Sequence, residues 1–129
     1  MHQQLQHIQP TLVGAQYDIN HATAEAFGSW EVGFQLISPH IQSIAIKDFF
    51  WIKKNGKWGK EGCPLGEGVI NWPKYMELLK QKKFQVPITM HYEYPLGGAE
   101  SGAKKLSISE DVLIVAMKKD LALFKQWLA

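Results

Sequence analysis

Three short runs of β-branched and apolar residues alternate with three longer stretches of helical periodicity. The first run, Thr11 to Asp18, follows the breaker Pro10. Beyond it, Phe27, Trp30, Phe34 and Ile37 recur at three- and four-residue spacing, which predicts a helix over Ala22 to Ile37 that Pro39 ends. A second strand is expected over Ile41 to Asp48 and a third over Val86 to Glu93. Between them Asn71 is placed to cap a helix with Pro73 in its first turn and Tyr75, Leu78 and Leu79 on its buried stripe. Ser109 is placed to cap a last helix reaching Leu128, with Leu113, Ala116, Met117, Leu121, Phe124 and Leu128 on one face. The opening MHQQLQHIQP reads as the end of a helix entered part-way. Strand and helix in strict alternation predict an α/β fold of parallel βαβ units.

Two connections depart from ordinary length. Phe49 to Val69 holds five glycines and four lysines together with Trp51 and Trp58, and is read as a long functional loop or an insertion. Tyr94 to Ser107 is the second, again rich in glycine. Both follow strands, so both belong at the carboxyl ends of the sheet, where parallel α/β folds bind ligands.

Composition narrows the chemistry. The 129 residues suffice for one domain at most, and 46% hydrophobic content is enough to fill a core. A formal charge of +2 argues for neither nucleic acid nor a membrane surface, and no apolar run is long enough to span a bilayer. The start lacks the basic and apolar regions of a signal peptide, which makes the cytoplasm the default expectation. One cysteine, Cys63, rules out an internal disulfide framework and a cysteine-rich zinc site, and with no base to activate it it is expected to be inert. All fourteen basic residues are lysine, so any anion must be held by lysine, backbone amides or a helix N-terminus.

Each strand ends on a polar residue: Asp18 on the first, Lys47 and Asp48 on the second, Glu93 on the third. Alternation groups Gly14, Gln16 and Asp18 with Ser43, Ala45 and Lys47 and with Thr89, His91 and Glu93, small or polar sets that fit a barrel mouth. Asp18 and Glu93 are therefore candidate oxygen ligands for a divalent cation. His21 could add a nitrogen or touch a substrate, Lys47 could polarise a carbonyl, and Trp51 could stack on a sugar ring. Plainer roles stay open: Asp18 as a helix cap, His21 as a solvated side chain, Lys47 in a structural ion pair, His91 as a satisfied interior histidine. Lys53, Lys54, Lys57 and Lys60 are read as a solvated loop face.

The runs GAQYDINHA, IQSIAIKDFFW, PLGEGVINW and ITMHYEY, in this order and spacing, resemble the second half of the xylose isomerase-like barrel superfamily, which includes sugar phosphate isomerases and epimerases, inosose dehydratase-like proteins and endonuclease IV-type enzymes. The resemblance covers about Val13 to Leu128. It implies strands six to eight of a (β/α)8 barrel, as a partial domain over residues 1–129. It further implies a divalent metal (Mn, Mg, Zn or Co) held by Asp18 and Glu93, with no organic cofactor. Glu93 and Lys47 would be catalytic, and His21, Trp51 and His91 would contact a sugar or sugar phosphate, the absence of arginine tilting toward the unphosphorylated form. Two departures stand out. The family's His-x-Lys-Asp is here Ala45-Ile46-Lys47-Asp48, so one ligand histidine is replaced by alanine. A full barrel needs about 250 residues, and the family's strand-four glutamate has no counterpart here. The expectation is a piece of a metal-dependent isomerase or epimerase working through an enediolate-like intermediate, inactive alone, that could self-associate to cover open sheet edges. The alternatives are a carbohydrate-binding or pseudoenzyme relative, favoured by Ala45, and a small autonomous α/β interaction module. A DNA-repair role is disfavoured, because too few metal-site histidines match.

Overall fold

In the computed structural model, which describes residues 5–26 and 28–129, the first strand β1 spans Ala15–Asp18 and runs straight into helix α1, Ile19–Glu25. Helix α2 is Trp30–Ile37, followed by strand β2, Ile41–Ile46. An antiparallel pair follows, β3 (Asp48–Lys54) and β4 (Lys57–Cys63), then helix α3 (Trp72–Lys82), the short strand β5 (Ile88–Met90) and helix α4 (Glu110–Leu128). β1, β2 and β5 form one parallel sheet in that order, with Ala45 of β2 lying between Asp18 and Thr89 in register. The fold is mixed α/β with a three-stranded parallel sheet and a separate hairpin. No helix among the described residues is long and apolar enough to cross a membrane.

The core explains the helical periods. Trp30, Phe34 and Ile37 of α2 and Tyr75, Leu78 and Leu79 of α3 are buried against Tyr17, Ile44 and Ile46 of the sheet. Four aromatic rings lock this layer: Tyr75 lies 6.1 Å from Tyr17, 5.9 Å from Phe34 and 5.9 Å from Trp30. Both expected caps form, with Asn71 accepting from Lys74 N at 3.1 Å and Ser109 from Val112 N at 3.4 Å.

Several boundaries differ from expectation. The single helix expected over Ala22 to Ile37 is two: Gly28 takes φ +90, and the Ser29 hydroxyl donates to Ala26 O at 2.7 Å, ending α1 before α2 begins. Phe27, placed on that stripe, lies outside the described residues, as do Met1 to Gln4 of the presumed helix end. All three parallel strands are shorter than their expected runs: β1 is the last four residues of its run, β2 stops at Ile46 and β5 covers only Ile88–Met90, so Lys47, His91 and Glu93 lie beyond the paired residues.

The largest difference lies in Phe49 to Val69. Asn55 and Gly56 adopt φ +52 and +76, a two-residue turn that pairs Asp48 through Lys54 with Lys57 through Cys63. Asn-Gly flanked by extended residues is a strong hairpin signal, so what the glycine content suggested as a loop is a regular ribbon. Helix α4 keeps Phe124 of its expected face buried but turns other positions of that face outward. Leu121 and Leu128 are exposed, whereas Asp120 and Phe124 are buried and Trp127 stacks on Trp72 at 5.2 Å. Tyr94 draws α4 inward by donating to Asp120 Oδ2 at 2.9 Å.

Candidate functional site

Because β1, β2 and β5 run side by side in one direction, their polar ends meet. Lys47, 8% exposed, extends its ammonium between two carboxylates, 3.1 Å from Asp18 Oδ2 and 3.0 and 3.1 Å from the two oxygens of Glu93. These contacts can use all three ammonium protons. Burial acts to lower the Lys47 pKa, but its hydrogen bonds to Glu93 and Asp18 outweigh it, and the group stays protonated well into alkaline solution. Burial would raise Glu93, and the Lys47 hydrogen bond more than reverses that, with help from His91, holding the carboxyl below the usual glutamate value. His91 Nδ1 lies 3.3 Å from Glu93 Oε1.

Asp18 does two things at once. Its Oδ1 accepts from Asn20 N at 2.9 Å and His21 N at 3.4 Å, capping α1, while Oδ2 faces Lys47. The helix-cap role and the cluster role are therefore both real, and they use different oxygens. His21 is exposed, at 3.7 Å from Asp18 Oδ2 and 3.1 Å from Glu25 Oε1.

The neighbouring Asp48 is a different kind of carboxylate. It is buried and accepts from Phe49 N (2.8 Å), Gly66 N (3.0 Å), Gly68 N (3.2 Å) and Trp72 Nε1 (2.7 Å). A Cβ on Gly68 would sit 2.0 Å from Asp48 Oδ1, which is why the turn after the hairpin needs glycine there. The Lys-Asp, Gly-Glu-Gly and Asn-Trp segments thus converge on one buried oxygen pair, and much of the motif is architecture.

The hairpin folds back over the strand ends. Asn20, Lys47, Asp48, Phe49, Lys60, Gly62 and Glu93 line a polar cavity of about 200 Å3. Lys60 donates to Asn20 Oδ1 at 2.6 Å and lies 5.3 Å from the centre of the Phe49 ring. Where β4 ends, Gly62 packs so tightly on the backbone of Glu93 that a Cβ would fall 1.8 Å from its carbonyl oxygen. Sequence reading missed Asn20, Phe49, Lys60 and Gly62, and read Lys60 as solvated; the Asn55-Gly56 turn is the signal that would have brought β4 back over the site. Trp51, the expected stacking platform, does not line this cavity. It is 46% exposed and packs edge-on against Phe49 at 5.5 Å. Cys63 is buried next to Asp48, Glu67 and Asp120, and burial together with these charges pushes its thiol up to about 12, consistent with an inert thiol.

Asp18 and Glu93 are the oxygen donors expected for a divalent metal, and the arrangement does not fit one as it stands. Position 45, in register with Asp18 and Thr89, offers only a methyl group, and both carboxylates turn on the Lys47 ammonium. Among the described residues no three His, Cys, Asp or Glu side chains are grouped to hold a metal ion.

A family model described as xylose isomerase-like TIM barrel matches residues 1–109, the stretch that holds β1 to β5 and every residue of the cluster. None of the curated proteins matches the chain.

Proposed function

The chain belongs to the xylose isomerase-like TIM barrel family, and on that premise we propose that Asp18, Lys47 and Glu93 form the sugar-handling rim of an isomerase- or epimerase-type site, on strands that correspond to the sixth, seventh and eighth of the barrel. The observation that carries this reading is the convergence of three strand-end charges from three separate βα units on one point, roofed by the hairpin. Stability alone does not call for a buried lysine between two carboxylates, since desolvating the ammonium offsets much of what its ion pairs contribute.

The chemistry follows from the contacts. A sugar carbonyl or hydroxyl oxygen entering the cavity would compete for the Lys47 protons, and the ammonium would hold negative charge developing on that oxygen. As Lys47 shifts toward the sugar, its grip on Glu93 relaxes and the carboxylate becomes a better base. Glu93 would then take the proton from the carbon beside the carbonyl and return it to the former carbonyl carbon, while the hydroxyl proton passes from its oxygen to the former carbonyl oxygen, interconverting aldose and ketose. Asn20 and Lys60 supply further hydrogen-bonding groups for the sugar's hydroxyls. The open edges of β1 and β5 leave room for further strands of a barrel or for a second copy of the chain.

A second reading is a carbohydrate-binding relative without turnover; Ala45 in the place of a ligand and the low basicity of Glu93 favour it. Incubation with free and phosphorylated pentoses and hexoses in D2O separates the two. Deuterium appearing at the carbon beside the carbonyl, and lost in Glu93→Gln, supports the enzyme; saturable sugar binding without exchange supports the relative; neither binding nor exchange overturns both.

A further inference from the structure

We propose that the Lys47 ammonium takes the place of the divalent ion in this site, so that the chain's carboxylate pair is neutralised by a resident side chain and the site works without metal. The inference rests on the sugar-rim reading above for its purpose, but its physical content is independent of any sugar.

Three observations carry it. The Lys47 nitrogen is nearly equidistant from Asp18 (3.1 Å) and Glu93 (3.0 Å), the position a shared cation would occupy between two oxygen ligands. The side chain reaches this point while 8% exposed, from the residue just past the end of β2 and two positions beyond Ala45, where a donor is missing. The ammonium donates to both oxygens of Glu93 and pairs with Asp18 Oδ2, so it engages both carboxylates at once. A divalent ion entering here would stand within contact distance of the Lys47 charge, and the repulsion between the two opposes its binding. Held between two carboxylates, the lysine takes a sugar oxygen by giving up part of its grip on one of them, and it cannot chelate two adjacent oxygens as a metal does. The site should consequently grip a single oxygen, which suits an open-chain carbonyl better than a vicinal diol.

Mn2+ binding to the whole chain, followed by electron paramagnetic resonance at neutral pH, tests the idea. Wild type and Lys47→Arg, which keeps the charge, are expected to show no saturable binding below about 1 mM, the weak end of protein cation sites. Lys47→Met frees Asp18 and Glu93, with His91 beside them, and is expected to bind one Mn2+ at least about tenfold tighter, a gain abolished by adding Glu93→Gln. Lys47→Gln, which keeps a hydrogen-bonding head without charge, serves if the methionine variant does not fold. Stoichiometric Mn2+ binding by wild type, or folded uncharged variants that bind no tighter than wild type, would overturn the proposal. Either result leaves the sugar reading standing, because deuterium exchange and sugar binding are measured without added metal.

Discussion

Lys47 and Asp48 are adjacent in sequence and opposite in character. Asp48 is closed: its carboxylate is buried and receives four N–H donors from a strand, a glycine turn and an indole, all within the fold. Lys47 is open on one side, because it lines the cavity under the hairpin together with its partner Glu93, which is 56% exposed. A saturated carboxylate holds architecture, whereas an unsaturated rim can exchange partners with a ligand. One peptide bond thus separates the residue that shapes the loop face from the residue that can do chemistry there.

Breaking Asp48 should have the largest effect. Asp48→Ala strands buried donors on three segments, and unmade buried hydrogen bonds cost about 1–3 kcal/mol each, so a loss of roughly 3 kcal/mol or more is expected in urea unfolding followed by circular dichroism. If stability falls by less than about 1 kcal/mol, the cradle is not what anchors the hairpin to α3.

Lys47→Met should cost less stability, about 1–2 kcal/mol, and more binding. Its pH signature is specific. Glu93 has a lowered pKa in the folded chain, so its contribution is present above the unfolded glutamate value of about 4.3 and disappears as pH falls through the folded value. Lys47 is raised, so its contribution is present below about 10.4 and disappears as pH rises through the folded value. Solvent at Glu93 keeps the amplitude to about 1 kcal/mol or less. Wild-type stability should sag at both ends of the pH range, and Lys47→Met should flatten both limbs; unchanged limbs would mean the triad contributes nothing to folding.

Trp51→Ala should do least. The ring is half exposed and outside the cavity lining, so stability should move by about 0.5 kcal/mol or less and sugar affinity hardly at all. A large loss of affinity on calorimetry would restore Trp51 as the stacking platform that the sequence suggested.

Features set by near neighbours were legible from sequence. The Asn71 and Ser109 caps and the Trp30–Phe34–Ile37 stripe depend on spacings of a few residues, and each is present; Asp18 ends β1 as expected, whereas Lys47 and Glu93 lie one and three residues past β2 and β5 and still meet. The hairpin was hidden because glycine and lysine content was weighed above the single Asn55-Gly56 turn. The exposure of Leu121 and Leu128 was not legible, since the face that α4 buries is chosen by Tyr94 and Trp72, far away in sequence. Lys60 meets Asn20 across forty positions, a pairing that only the folded hairpin creates. Functional roles for these residues come from chemistry and family membership together, and neither spacing nor burial alone assigns them.

The most direct measurement is a two-dimensional amide NMR titration of the chain with open-chain-forming pentoses and hexoses. The account predicts saturable shifts clustered at Asn20, Lys47, Lys60, Gly62 and Glu93, with amides on the outer faces of α2 and α4 unmoved and the response lost in Lys47→Met. Shifts that gather elsewhere, or that survive unchanged in Lys47→Met, would contradict it.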